Sequence, residues 1–221
     1  MDFDITYFLE MIPTIASALH VTMELTIISL LCSLILGTIV ALANYYNIVI
    51  LNTVCKIYIS IFRATPLLPQ LFFFYFGLAY FSDYIKNMSP MMASTIILSL
   101  NMGAYMSENI RGALLAVDLG QIEAAMSLGM NRIQTMIRIV GVQAFQIALP
   151  SLFNNFIDLI KGSSIAFVVG VVDIMGKAKI EAANTFRFFE VYAAVMLIYW
   201  VLITILSYFQ KKIEQRYLKM S

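Results

Sequence analysis

Histidine and cysteine are nearly missing from this chain, with one His20 and two cysteines, Cys32 and Cys55, in 221 residues. That excludes a Cys/His metal site of ordinary ligand count. Cys32 lies in an apolar run and Cys55 beside Lys56. Both are expected as free thiols, buried or on the cytosolic side, not as a disulfide. A lone histidine leaves no Ser/His/Asp arrangement, and no carboxylate pair is placed for acid–base work, so a membrane enzyme is disfavoured. Charge is scarce as well, at 12% of residues, against about 25% in a soluble domain. The net charge of +1 gives no footprint for nucleic acid. No signal peptide is expected either, since MDFDITYFLEM is acidic where such a segment is basic. The first span itself is therefore expected to target the membrane, with nothing cleaved. The run from Gly170 to Gly176-Lys177-Ala178 is no phosphate loop, because its glycine spacing is wrong and Ala178 stands where Ser or Thr must bind magnesium.

What the chain has in quantity is apolar length. Hydrophobic residues make up 61% and the mean hydropathy is +0.86, which identifies an all-α membrane protein. Uncharged runs separated by polar breaks predict five transmembrane helices, at about 16–43, 57–81, 87–108, 142–172 and 191–210, in a single domain over 1–221. Asn44 to Asn47 read as the turn after the first span. Trp200, at the centre of the last, is expected to pack against other helices and not to sit in an interfacial belt.

Polar groups inside these spans are the site candidates. Asn101, Tyr105 and Glu108 are four and three apart, so they share one face of the third span. Such a stripe faces a cavity or the bundle interior, or serves as interhelical glue. Lys161 interrupts the fourth span, where a lysine at the bilayer centre costs roughly 2.5–3.5 kcal/mol. Asp158, three residues earlier, is a candidate partner, as is Glu24. Arg63 is expected near the cytosolic headgroups, with its stem snorkelling.

Between the third and fourth spans lies a polar island, Asp118 to Val140. Apolar residues at Leu119, Ile122, Met126, Met130, Ile133, Ile137 and Val140 are spaced as one helix face. Asp118 with Gln121, and Asn131 with Gln134, fit capping boxes. Gly129 stands where a left-handed stop belongs. The pattern predicts short helices over Leu119–Leu128 and Arg132–Val140. The first is only about 15 Å long and cannot cross a bilayer.

Basic residues give the orientation. With five spans, one side collects Lys56, Arg63, Arg111, Arg132, Arg138, Lys211, Lys212, Arg216 and Lys219, and the other only Lys86, Lys177, Lys179 and Arg187. The richer side is cytosolic by the positive-inside rule, which puts the N-terminus outside and the C-terminus and island inside.

Several of these stretches resemble the permease subunits of bacterial ABC importers for polar amino acids. Glu123-Ala124-Ala125, three residues, then Gly129 matches the family's EAA signature. Arg63-Ala64-Thr65-Pro66-Leu67-Leu68-Pro69-Gln70 is similar to its FRGTPLLVQLFLIYFG segment, with Ala64 for Gly and Pro69 for an aliphatic residue. Ser99 to Glu108 also matches. Lys161-Gly162-Ser163-Ser164 stands where the family has Lys-Asp-Thr-Ser, and Gly141-Val142-Gln143-Ala144 where it has Leu-Pro-Gln-Ala.

The resemblance implies a type I ABC importer permease fold, with Glu123, Ala124, Ala125 and Gly129 on coupling helices that dock on an ATP-binding cassette subunit. It also implies a second permease copy or a paralogue in the membrane lipid, and an extracellular solute-binding protein outside. ATP and magnesium would be held by the partner, with no cofactor, metal or catalytic residue in this chain. The pathway would draw on Asn101, Tyr105, Glu108, Lys161, Ser163 and Ser164, with Lys161 meeting the substrate's carboxylate and Glu108 near its ammonium. Loss of the family's Asp at Gly162 counts against a cationic substrate. The wording around Ser164–Phe167 and Phe186–Glu190 is closest to cystine permeases, with glutamine, glutamate, histidine or arginine as alternatives. A stand-alone secondary transporter is the rival class, disfavoured by the lack of an internal repeat.

Overall fold

In the computed structural model, residues 3–218 are described, and they are helical with no strand among them. The order is α1 (Ile5–Ala16), α2 (Leu19–Tyr45), α3 (Val49–Ala64), α4 (Leu67–Phe72), α5 (Asp83–Lys86), α6 (Pro90–Leu115), α7 (Leu119–Ser127), α8 (Arg132–Thr135), α9 (Gly141–Ser163), α10 (Ile174–Thr185) and α11 (Phe188–Leu218). Wide π-type turns at Phe73–Gly77 and Met136–Val140 continue α4 and lead into α9. Lys219 lies outside the described residues, as does the side chain of Arg216.

The bundle is built on α2 and α6, which run side by side. Glycine and serine make their approach close: a Cβ on Gly37 would lie 3.0 Å from Met106 Cβ. Ser33 Oγ donates to Ser29 O at 2.6 Å and to Ser99 O at 3.3 Å, and Ser99 Oγ reaches Ser29 O at 3.4 Å. Small residues and hydroxyls hold helices together where surrounding lipid supplies no hydrophobic drive. Around the seam pack Leu25, Leu71, Ile97, Met102, Met106 and Leu159. On the other side α2 turns Ile27, Leu31, Ile35 and Ile39 outward, as a bilayer-facing helix does.

Three helical stretches are long and apolar enough to cross a membrane, Leu19–Tyr45, Arg132–Val169 and Phe188–Gln215. A fourth is counted if Val49–Ala64 and Leu67–Tyr80, bent by 114°, form one span. α6 is about 39 Å long at 1.5 Å per residue, and its polar side chains face neighbours in the bundle.

Four features depart from the expectation. Ile5–Ala16 is a helix, capped by Asp4, which accepts from the Tyr7 amide at 3.0 Å. Its acidic residues disguised the apolar side, Met11 and Ile15, that packs against α10 and α11. The second expected span starts earlier, at Val49, and breaks at Thr65–Pro66. The fourth ends as helix at Ser163 and tightens to a 3₁₀ turn that stops at Gly170, φ +104°. Trp200 is 67% exposed within the chain. α11 contacts α1, α9 and α10 on one side only, so Trp200 shares the open side with Met196 and Tyr208.

The two ends of the bundle differ. At one, α2, α6, α7 and α9 meet around Val117, Val140 and Ala144. At the other, α1, α10 and the start of α11 close over Ile15, Ile174 and Val191. Here Arg187 pairs with Asp4 at 2.6 Å and holds that carboxyl below its usual range.

Candidate functional site

The break after α3 follows from two prolines. In a continuous helix the amide of residue 66 would bond Phe62 O and that of residue 69 would bond Thr65 O, but Pro66 and Pro69 have no N–H. Side chains take up both carbonyls. Asn101 Nδ2 donates to Phe62 O at 3.1 Å and to Gln70 Oε1 at 3.0 Å. Gln70 Nε2 reaches Phe62 O at 3.1 Å and Thr65 O at 3.0 Å. Asn101 is thus the α6 anchor of the bend, which satisfies groups that lipid cannot.

The bend sets Arg63 over α6. Its guanidinium carbon lies 5.4 Å from the Tyr105 ring centroid and a terminal nitrogen 3.7 Å from Glu108 Oε2. Glu108 is also gripped two-pronged by Arg111, Nε to Oε1 at 3.0 Å and an Nη to Oε2 at 3.1 Å. Beside them Asn109 Nδ2 donates to Asn155 Oδ1 of α9 at 2.6 Å. Two guanidinium groups against one carboxylate leave an excess of one positive charge.

Of the expected pathway residues, Asn101, Tyr105 and Glu108 come together here. Lys161 does not join them. It pairs with Asp158 at 2.7 Å, both side chains 56% exposed, and lines an open groove of about 570 Å³ with Trp200, Thr204 and Lys211 of α11. Ser164 Oγ donates to Lys161 O at 2.6 Å and buried Ser163 Oγ to Ile160 O at 2.8 Å, each within its own helix. Glu108 therefore meets Arg63 and Arg111, while Lys161, expected on the same pathway, is paired elsewhere within this chain. Neither arginine was singled out for the site from the sequence. The Glu108–Arg111 spacing of three was a visible signal, whereas Arg63 requires the bend.

The Asp118–Val140 island forms two short helices at the opposite end from α10. Gly129 has φ +84°, and Asn131 with Gln134 makes a reciprocal capping box at 2.9 and 3.0 Å. The Asp118–Gln121 box does not form, because Asp118 Oδ1 accepts from the Gly120 amide at 2.8 Å instead. α7 ends at Ser127, and the second helix is α8 plus the wide turn Met136–Val140. Ala125 is buried while Glu123 and Ala124 are exposed. The apolar face only partly turns inward: Ile122 and Val140 pack inside, but Leu119, Leu128, Ile133 and Ile137 are 66–84% exposed. An apolar patch this large on a loop marks an interaction surface.

Residues 33–219 match the binding-protein-dependent transport system inner membrane component family. The chain is 44% identical over 207 residues to PatM of Vibrio harveyi, a probable amino-acid ABC transporter permease, covering 94% of this chain and 93% of that one. It is 37% identical to the L-cystine transport system permease TcyB of Bacillus subtilis, covering 92% and 86%. A crystal structure of an amino acid ABC transporter with histidines superimposes with a TM-score of 0.89 at 34% identity, covering 98% of this chain and 100% of that chain. The fold is that of a type I ABC importer permease, and the chain, a multi-pass protein of the cytoplasmic membrane, belongs to the binding-protein-dependent transport system inner membrane component family, among its amino-acid ABC transporter permeases.

Proposed function

We propose that this chain is the membrane-spanning subunit of an ATP-driven importer of a polar amino acid, first L-cystine or a related sulfur amino acid. It acts as one domain of five spans, with α3 and α4 as the second and α6 as the third. The N-terminus is outside and the α7–α8 loop is in the cytosol, on the side rich in lysine and arginine. The exposed apolar row from Leu119 to Ile137, with Glu123, Ala124, Ala125 and Gly129, docks on an ATP-binding cassette subunit that holds ATP and magnesium. A second permease copy or paralogue completes the membrane unit, and a solute-binding protein delivers substrate outside. ATP binding draws the docking loops together and opens the spans outward, and hydrolysis resets them.

The observation that carries the substrate class is the charge of the Glu108 cluster. Arg63 and Arg111 outnumber Glu108, and Asn101, Gln70, Asn109 and Asn155 beside them are neutral. The spare positive charge fits a substrate carboxylate and works against a cationic side chain, which ranks arginine behind cystine, glutamine and glutamate. Resemblance to TcyB favours cystine, though an arginine permease, ArtQ of Bacillus subtilis, is 34% identical. Proteoliposomes holding the permease with its ATP-binding and solute-binding partners test this with labelled cystine, glutamine, glutamate, histidine and arginine. ATP-dependent uptake, with arginine slowest, is the expected result. Uptake that runs without ATP would favour a secondary transporter.

A further inference from the structure

The end of the bundle away from α7 finishes in a cluster of phenylalanines. α10 starts beside the first turns of α2 and α6: the Ile174 amide donates to Thr22 Oγ1 at 3.2 Å, and a Cβ on Gly170 would lie 3.8 Å from Pro90 Cγ. Its 12 residues carry the chain about 18 Å from there. The chain then turns through Phe186 and Arg187 and comes back as α11. At that turn Phe3, Phe186, Phe188 and Phe189 are 51–72% exposed, along a groove of about 760 Å³.

These rings are held out by the rest of the cap. Tyr7 Oη of α1 donates to Thr185 Oγ1 at 3.0 Å, and the Asp4 amide to Glu190 Oε1 at 3.3 Å. The Arg187 guanidinium pairs with Asp4 and covers the Tyr7 ring at 4.6 Å. Phe3 meets Phe189 edge-on at 5.7 Å, and Phe188 stacks on Tyr192 at 6.4 Å. Phe186 is the costly member. Its φ of +56° is in the left-handed region, where a Cβ crowds the next carbonyl. As a helix stop alone, glycine would serve without that strain. The Phe186 ring is 72% exposed, so burial within the chain does not offset the strain. Hydrocarbon does not suit the cluster either. The side chains of Asp4 and Arg187, 42% and 43% exposed, would lose their water there, which puts the tip in the aqueous phase. A pre-organised aromatic patch in water, with an arginine in it, has the composition of a protein-docking hot spot.

We propose that this phenylalanine tip, built by α1 and the α10–α11 turn, is the docking anchor for the solute-binding protein. Transport in the family to which the chain belongs depends on a binding protein. The tip is at the opposite end from the α7–α8 loop, where a soluble partner outside can reach it. The proposal rests on the importer reading and its orientation. The contact is apolar: Phe186 and Phe189 enter the partner, while Arg187 stays paired with Asp4 and fixes the turn.

The test uses the complete importer in proteoliposomes and, as probe, the solute-binding protein that supports uptake in them. ATP hydrolysis is followed as that protein is titrated at the outer face, and the half-saturating concentration is read. Phe189→Ala is expected to raise it about tenfold, a loss of ~1.4 kcal/mol of docking, with hydrolysis in the absence of the binding protein unchanged. Phe186→Gly is expected to raise it likewise, and also to raise the melting midpoint by a few degrees, because glycine relieves the left-handed strain. A merely structural Phe186 would not move the two readings in opposite senses. Half-saturation within about twofold of the parent in both variants overturns the docking tip and leaves the importer reading intact. A bilayer-covered tip would overturn it too: a fluorophore on Phe189→Cys, with Cys32 and Cys55 replaced by alanine, would be quenched by nitroxide-bearing lipid and indifferent to the binding protein. If no solute-binding protein from the same cells supports ATP-dependent uptake by the parent, the importer reading falls and the docking tip with it.

Discussion

Two charged groups of residues stand on neighbouring helices, and they are built on different plans. Glu108 is held by Arg111 on its own helix and by Arg63 from across the α3–α4 bend, with Tyr105 beneath the Arg63 guanidinium. Lys161 and Asp158 pair within one helix, three residues apart, and open onto a groove. The first joins two helices, α3 and α6. The second stays within α9. Membrane depth alone made Lys161 the more conspicuous residue, yet Glu108 is the one whose ion pairs tie separate helices together.

The largest expected effect breaks the first group. Glu108→Gln leaves two guanidinium groups facing each other without a counter-charge. A fully enclosed unpaired charge costs roughly 3–5 kcal/mol, and the two arginines left behind, 44% and 36% exposed, are screened by solvent and cost less than that. ATP-driven uptake in proteoliposomes is expected to fall by about 100-fold, near 3 kcal/mol. A rate within threefold of the parent would mean that substrate passes elsewhere.

Next is the bend that brings Arg63 into the group. Gln70→Leu strips Thr65 O of its side-chain donor and Asn101 of an acceptor, a loss of about 1–3 kcal/mol. The melting midpoint in detergent should drop by several degrees. Pro69→Leu restores the amide that Pro69 lacks, so Gln70→Leu should cost less in that background. Equal losses in both backgrounds would show that Gln70 does not stand in for the missing N–H.

Most local features were legible in the sequence and long-range ones were not, the Asp118–Gln121 box being the local exception because Asp118 turns to the Gly120 amide. The Asn131–Gln134 box and the left-handed Gly129 depend on neighbours within four residues, and both are where the spacing puts them. Pro66 and Pro69 lack the amide N–H that a continuous helix needs, so a break there has a local cause. Its angle and the fate of the freed carbonyls depend on Asn101, 39 residues from Phe62, which no local pattern shows. The stripe of Asn101, Tyr105 and Glu108 was visible as a face, but what the face meets had to come from the fold. α1 was not anticipated: the acidic residues of this stretch were weighed only against a signal peptide, although Asp4 is the helix cap. Trp200 finds no helix of its own chain to pack on, being 67% exposed there, because an apolar centre reads alike whichever neighbour surrounds it.

A third prediction contrasts both groups with a carboxylate that has no cation partner among the described residues. Asp173 caps α10 at the end of the bundle away from α7, wholly buried, with Oδ1 on the Gly176 amide at 2.9 Å and Oδ2 unpartnered. Burial pushes its pKa up to about 6, against the pull of the cap amides. Between the ordinary carboxylate range and pH 6 the folded chain binds more protons than the unfolded one, so stability falls as pH rises through that window and is flat above it. Asp173→Asn keeps an oxygen for the cap and removes the charge. It should abolish the fall and raise the melting midpoint near neutral pH by several degrees, the share of about 3 kcal/mol. An unchanged pH profile would show that Asp173 is not the group responsible.

The smallest expected effect sharpens the contrast most. Lys161→Met removes a cation whose partner is on its own helix and whose side chain is more than half exposed. Such pairs are worth about 0–1 kcal/mol, so uptake should change by less than about threefold. Asp158→Asn should behave alike, because the freed lysine keeps its water. Should Lys161→Met instead abolish uptake as fully as Glu108→Gln, the path would run along the groove between α9 and α11, and Lys161 would be the carboxylate's partner. Arginine at position 161 then decides between charge and shape. Uptake rescued by Lys161→Arg means that the groove reads a charge, and uptake lost in both variants means that the ammonium's compact geometry is what the substrate meets.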